Sequence, residues 1–577
     1  MTQEVRIGDL AVTIDGIDLR DIRWHGQEAV RRIYPVFQDR NWTNRPFRIE
    51  SQHVEEGSDS VSLVATGSGS FDAEPLRWQV AAEIRADGID YRFSAEASSP
   101  FLRNRLGMCV LHPMTASGSQ VRIEHVDGEI EAGRFPVQLS PFQPFVDIRA
   151  ITHELPDGSE ASVRLMGDTY EMEDHRNWTD ASFKTYCTPI SLPFPVEVAT
   201  GDRIDHRVEV SFAGGRSTPP VDDASVRIDV HGSVHALPGL GLCLSHEDLA
   251  RSDEHLSQLA DLGLDHLRVD VDAASPEGVP TIVRACEVAG NLGCALHLAV
   301  TCADPSELSA FAGLPQQALT PIRSVYVFSS TDKVTPDSWS TSARAALGDS
   351  WAHVLLGGGT DLYFTELNRE PPDPLAFDVL NFSLNPQVHA FDDRTLIQNT
   401  MTQQIVAQDA PRITDPARIS VSPISLRPRF NPNATDPESD VSNTDLPSDV
   451  DSRQDTYFAA NWTAMSVKYL AAADSVDTAT YFEAFGWKGI TGITGITEPD
   501  QPFPVWQVFS TLAGMSHAYG CTSSDPEIVD VLIVGDGTNK VALVANWTAD
   551  DQSIHMGTGD DFTVPGHSLT PIPLPSD

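Results

Sequence analysis

Two textures of hydrophobic patterning divide the chain. Over residues 1–225, short runs at 61–65, 76–81, 91–95 and 207–212 are strand-like and separated by turn residues, with no helical period between them. Strands at this spacing, each with a buried and a solvated face, predict an N-terminal β-sandwich. Gly214-Gly215 and Pro219-Pro220 mark its end.

From residue 238 the runs become almost continuously apolar and alternate with helical segments. Strands are predicted at 239–244, 266–271, 294–300, 324–328, 352–356 running on toward 363–367, 379–384, 418–422 and 478–482. Helices are predicted at 252–262, 279–292, 338–347, 395–408 and 457–473. Parallel strands covered on both faces carry such runs. Eight of them interleaved with helices over 238–522 predict a (β/α)8 barrel. Strand patterning at 531–534 and 540–546 makes 525–577 a small C-terminal β-domain. The predicted class is multidomain α/β, with a central TIM-type barrel between two β-domains. The acidic, Pro-, Ser- and Asn-rich stretch 431–455 reads as a solvated insertion in preference to a lid, and the Gly-Ile-Thr repeat at 489–497 as loop or edge.

Composition changes the picture mainly through charge. The 577 residues carry 82 acidic side chains against 39 basic ones, a formal charge of −43, and only five of the bases are lysine. Such a surface reads as adaptation to molar salt, where a Debye length of about 3 Å screens its self-repulsion. It argues against nucleic acid as a partner, since phosphates need clustered Lys and Arg, and against anionic membranes. Residues 1–10 lack a basic region followed by an apolar run, and no apolar stretch approaches the roughly 20 residues of a span, so a soluble cytoplasmic protein is expected. Seven cysteines without a close CxxC pair point to neither a disulfide framework nor zinc. The four Asn-Trp-Thr triplets at Asn41, Asn177, Asn461 and Asn546 are read as plain sequence rather than glycosylation sites.

In a barrel, polar residues at the C-terminal ends of strands are the first candidates for chemistry. Glu366 after strand five and Glu483 at strand eight each follow aromatic or apolar residues, where burial would raise a carboxyl pKa toward useful values. Three strands apart, they would face each other as acid and base or as nucleophile and acid, or else form rim ion pairs with Arg369 and Lys488. His389 after strand six is a candidate proton shuttle. Asn368, Arg369, Arg268 and Asp270 are candidate substrate-binding residues, although Arg268 and Asp270 could equally pair with each other. His297 reads as a core histidine, and His112 and His125 are too isolated to define a metal site. Gly357-Gly358-Gly359 lacks the lysine and helix start of a phosphate loop and reads as a tight turn; no GxSxG elbow or GxGxxG is present. No cofactor and no metal are expected.

The segment from Glu171 to Tyr186 (EMEDHRNWTDASFKTY) crowds carboxylates, His175, Arg176, Trp178 and Lys184 together, and Glu173, Arg176 and Lys184 are its candidate ligand-binding residues. This segment resembles the signature of the D-apionate lactonases, as do 104–113, 357–369 and 385–390. The resemblance implies hydrolysis of a lactone of D-apionate, a branched sugar acid, by a β-domain, a barrel and a small C-terminal domain. Two other classes stay open on the residues alone. One is a glycosidase using the paired glutamates on a pentose-containing glycan, and the other a non-catalytic carbohydrate-binding protein.

Overall fold

The computed structural model describes residues 2–69, 76–215, 225–251, 253–429, 446–447, 449–492, 501–557 and 561–575. Pro219-Pro220, 431–445 and 448 of the expected insertion, and 493–497 of the repeat lie outside them. The chain separates into two compact units, one built on Met1–Arg176 and Ala181–Asp222, the other on Asn177–Asp180, Asp223–Phe430 and Val441–Asp577.

The first unit is a single hydrogen-bonded sheet of seventeen strands, all pairings antiparallel. It wraps one core that includes Leu10, Ile14, Trp78, Phe93, Met108, Phe183 and Val208. Period-two alternation sets which side chains enter that core. On Phe101–Pro113, Leu106, Met108 and Val110 point inward, while Arg105 and Cys109 occupy the other face. The segment 171–186 is a hairpin in this sheet, with Tyr170–Glu173 paired to Ser182–Tyr186 in the register Glu171↔Tyr186 and Glu173↔Lys184.

The second unit contains the expected closed barrel. Its strands are Gly239–Leu244, His266–Asp272, Ala295–Cys302, Ile322–Ser329, Leu355–Tyr363, Val379–Leu384, Arg418–Ile424 and Thr478–Glu483, and the first pairs in parallel with both the second and the eighth. A seven-stranded sheet accompanies it, taking Val226–Ala236 from before the barrel and His517–Ser523 together with the C-terminal strands. Among the described residues no helix is long and apolar enough to cross a membrane.

Three local expectations are corrected. Gly357-Gly358-Gly359 is not a turn but the middle of barrel strand five. A Cβ on Gly357 would stand 2.3 Å from the Tyr326 ring and one on Gly358 2.7 Å from the Phe377 ring, while Gly359 has φ +97 with the Asn381 carbonyl 2.4 Å from its Cβ position. Close packing by Tyr326, Phe377 and the Asn381 backbone, not chain reversal, requires those glycines. Strand five therefore stops at Tyr363, and 364–369, expected partly as strand, is a helix, Phe364–Arg369. The helix expected at 395–408 is two, Asp393–Asn399 and Thr402–Asp409, with the Thr400 hydroxyl turned back onto the Leu396 carbonyl at the break. All four sequon asparagines are buried, so none presents its amide as a glycosylation acceptor.

Candidate active site

The C-terminal ends of barrel strands five and six converge on a four-residue peptide of the same unit, Asn177–Asp180. Every residue of that peptide is engaged. Asn177 Oδ1 accepts from Asn368 Nδ2 at 2.8 Å, and the Trp178 ring meets Tyr363 edge-on at 5.4 Å and lies under the Arg369 guanidinium at 5.5 Å. Thr179, with φ +66, donates from its hydroxyl to the Asn385 carbonyl. Asp180 Oδ2 accepts from His389 Nδ1 at 2.7 Å, and its Oδ1 accepts from Asn399 Nδ2 at 3.0 Å. The Trp178 ring stands edge-on to His389 at 5.6 Å. A carboxylate accepting from Nδ1 places the imidazole lone pair on Nε2, the tautomer of a general base.

The two glutamates singled out by position occupy different environments. Glu366 is buried on the helix after strand five and accepts from Lys333 Nζ at 3.0 Å, a partner unforeseen in the sequence. Glu483, the last residue of strand eight, forms a pair with Lys488 at 2.9 Å, and Lys488 also reaches Asp449 at 2.8 Å. Burial pushes the Glu483 carboxyl above its usual range, and the Lys488 ammonium only partly offsets this. Asn368 is held from both ends, its oxygen taking a bond from Arg412 Nη2 at 2.7 Å.

Arg268 is fully buried and belongs to a closed ring of charges. Its Nε donates to Asp270 at 2.8 Å, its Nη1 to Ser422 Oγ at 3.1 Å and its Nη2 to Asp361 at 2.7 Å. Arg429 closes the ring on the other oxygens of Asp270, at 2.7 Å, and Asp361. The two guanidiniums hold the half-exposed Asp270 carboxyl below the usual range. Arg268 and Asp270 are thus paired, the second of the two roles open to them. His297 lies stacked on His266 at 4.0 Å inside the barrel, kept neutral by burial.

Glu173, Arg176 and Lys184 lie in the sheet unit. Lys184 Nζ contacts Glu173 at 3.0 Å and His175 Nε2 at 3.2 Å. Arg176 is enclosed, bonding both oxygens of Asp174 at 2.8 Å and the Pro136 carbonyl at 3.0 Å, with its guanidinium over the Phe183 ring. His112 is buried against His153, while His125 is a surface residue bonded to Glu131 and the Val146 carbonyl.

Sequence reasoning missed Asp180, Lys333, Asp361 and Arg429. Lys333 carried a signal, being one of five lysines in the chain and close in sequence to a strand end. Asp180 stood inside the segment already singled out, but nothing local tied it to His389, 209 positions away.

Comparison with known proteins places these elements in a family. Residues 1–215 match the family model described as D-apionate lactonase, N-terminal domain, and residues 240–517 that described as D-apionate lactonase, TIM barrel domain. A D-apionate lactonase from Brucella anthropi is 30% identical over 458 residues, covering 74% of this chain and 75% of that protein. Among solved structures, an α-L-arabinofuranosidase from Thermotoga maritima aligns with 9% identity and TM-score 0.41 over 58% of this chain and 88% of that one. A GH30 endoxylanase from Clostridium papyrosolvens aligns with 9% identity and TM-score 0.37 over 61% and 97%. Likenesses at that level carry nothing about the reaction.

Proposed function

The chain belongs to the D-apionate lactonase family, and from that premise we propose that it opens the lactone of D-apionate to the free branched sugar acid. It is a hydrolase acting on a cyclic ester. The observation that carries the finer reading is the 30% identity to a D-apionate lactonase over 458 residues.

Lactone hydrolysis needs a base for water, a way to hold charge on the carbonyl oxygen, and an acid for the departing ring oxygen. In this reading His389, oriented by Asp180, takes a proton from water on Nε2 as the oxygen attacks the carbonyl carbon. The tetrahedral intermediate collapses with cleavage of the ring C–O bond. Glu483, whose carboxyl burial shifts toward the protonated form, gives a proton to the alkoxide, and the new carboxylic acid ionises. The Lys333 ammonium, positioned by Glu366, supplies the positive charge for the oxyanion.

Acid release from D-apionate lactone, followed in a pH-stat with the full chain at molar salt, tests this. Turnover in wild type that falls in His389→Ala supports the reading. Turnover of aryl glycosides with none of the lactone would overturn it in favour of a glycosidase.

A further inference from the structure

Arg105, on the strand Phe101–Pro113, is 2% exposed. Its Nη1 donates to the Asn104 carbonyl at 2.8 Å, while Nε and Nη2 are buried without a hydrogen-bond partner. Two positions earlier, Arg103 Nε is also buried and unpartnered. Among the described residues the other fully buried arginines are satisfied, Arg176 by Asp174 and Arg268 by Asp270 and Asp361. Leaving a buried donor unmade costs about 1–3 kcal/mol, and more for a charged group. That a chain with 82 acidic residues leaves this guanidinium without a carboxylate calls for a ligand.

The unmade bonds have a definite shape. Nε–H and Nη2–H lie parallel along one edge of the guanidinium, the fork that takes both oxygens of one carboxylate. The surroundings are aromatic, with the Trp42 ring 4.9 Å and the Phe194 ring 5.7 Å from the guanidinium carbon. Trp42 sits at φ +65, in a turn pinned by Asp39, which accepts from the Asn41 and Thr43 amides and pairs with Arg45. Phe194 is 43% exposed, so one wall already meets solvent. Gln143 donates to the Tyr186 hydroxyl at 3.3 Å, and that hydroxyl donates to Glu171 at 2.5 Å, so groups able to bind hydroxyls lie on adjacent strands and loops.

We propose that Arg105 anchors a second ligand site, in the sheet unit, for a hydroxy monocarboxylic acid, with Nε and Nη2 on the carboxylate and Trp42 and Phe194 as walls. The residues belong to the sheet unit alone, so the proposal stands or falls apart from the lactonase reading. Should both hold, the product acid would be of the class that the site accepts.

Calorimetric titration of the full chain with D-gluconate, with glycerol as the uncharged control, tests it. One saturable gluconate site that persists in His389→Ala is expected, absent in Arg105→Met and weakened about tenfold or more in Arg105→Lys, which keeps the charge but loses the fork. Glycerol is expected to give no heat. Gluconate should also quench or shift Trp fluorescence, and Trp42→Phe should remove that signal while binding remains. Absence of saturable binding in wild type, or equal binding in the folded Arg105→Lys and Arg105→Met proteins, would overturn the proposal.

Discussion

Asp180 Oδ2 lies 2.7 Å from His389 Nδ1, with both side chains largely withdrawn from solvent. Asn399 holds the second Asp180 oxygen, so the carboxylate cannot rotate away from the ring. A buried aspartate orienting a strand-end histidine gives that imidazole one tautomer and one direction, which an isolated histidine lacks.

If His389 is the base, Asp180 is its positioning residue. Asp180→Asn should lower kcat by roughly 10²- to 10⁴-fold, the range of general acid–base catalysis, with KM changed little. Adding Asp180→Asn to His389→Ala should cost almost nothing further, because residues acting as one unit are not additive. A purely structural Asp180 would instead lower Tm in the Asn variant and leave the pH dependence of kcat unmoved.

Glu483 sets the alkaline limb in this reading. Its carboxyl is raised by burial and partly lowered again by Lys488, so the acid form is present at low pH and lost as pH climbs through the raised value. Lys488→Met removes the lowering influence, and the descending limb of the kcat profile should move to higher pH. Glu483→Gln should lack that limb and most of the activity. A limb that moves to lower pH in Lys488→Met would exclude Glu483 as the acid.

The barrel was legible because each strand is a long apolar run, and Gly239–Leu244 and Val379–Leu384 fall where periodicity puts them. The resemblance carried by 171–186 likewise matches the family. What pattern could not convey was pairing at a distance. Glu366 finds Lys333, and Arg268 and Arg429 share Asp361, only through closure of the barrel. Gly357–Gly359 look like a turn until the rings of Tyr326 and Phe377 occupy the space their side chains would need.

The charge ring around Arg268 predicts a stability effect rather than an affinity effect. Each outer nitrogen of Arg268 already has an acceptor, and removing the guanidinium leaves Asp270 and Asp361 with Arg429 alone. Arg268→Met should cost about 1–3 kcal/mol, since both aspartates keep Arg429, read as a lower denaturant midpoint at molar salt. Arg268→Lys should recover only part of this, since an ammonium cannot span three acceptors. A large rise in KM in Arg268→Lys with unchanged stability would return Arg268 to substrate binding.

Mild acid should destabilise the fold through buried histidines. Burial holds His153 down at about 4, and His112, His206, His266 and His297 are likewise lowered by loss of solvent. Below the ordinary value near 6.5, the unfolded chain takes up protons that the folded chain refuses, so stability falls from there through pH 4. His153 alone accounts for roughly 3 kcal/mol of that loss. His153→Gln keeps a donor for the Ala29 carbonyl without titrating, and its Tm should fall less between pH 6.5 and 5 than that of wild type. Equal falls in both proteins would assign the acid sensitivity elsewhere.

Salt should act in the opposite sense to its effect on ordinary surface ion pairs. Screening weakens attraction within pairs such as Arg122–Glu160, both well exposed, and such pairs contribute about 1 kcal/mol or less. The repulsion among 82 acidic residues opposed by 39 basic ones is the larger quantity, and it is screened by the same ions. Tm should therefore rise with KCl from 0.1 M upward, most steeply while the Debye length shrinks from about 10 Å toward about 3 Å near 1 M. Sulfate at matched ionic strength separates screening from surface exclusion, since exclusion continues to stabilise after screening has saturated. A Tm that falls or stays level between 0.1 and 1 M KCl would mean that the acidic surface has another purpose than life in concentrated salt.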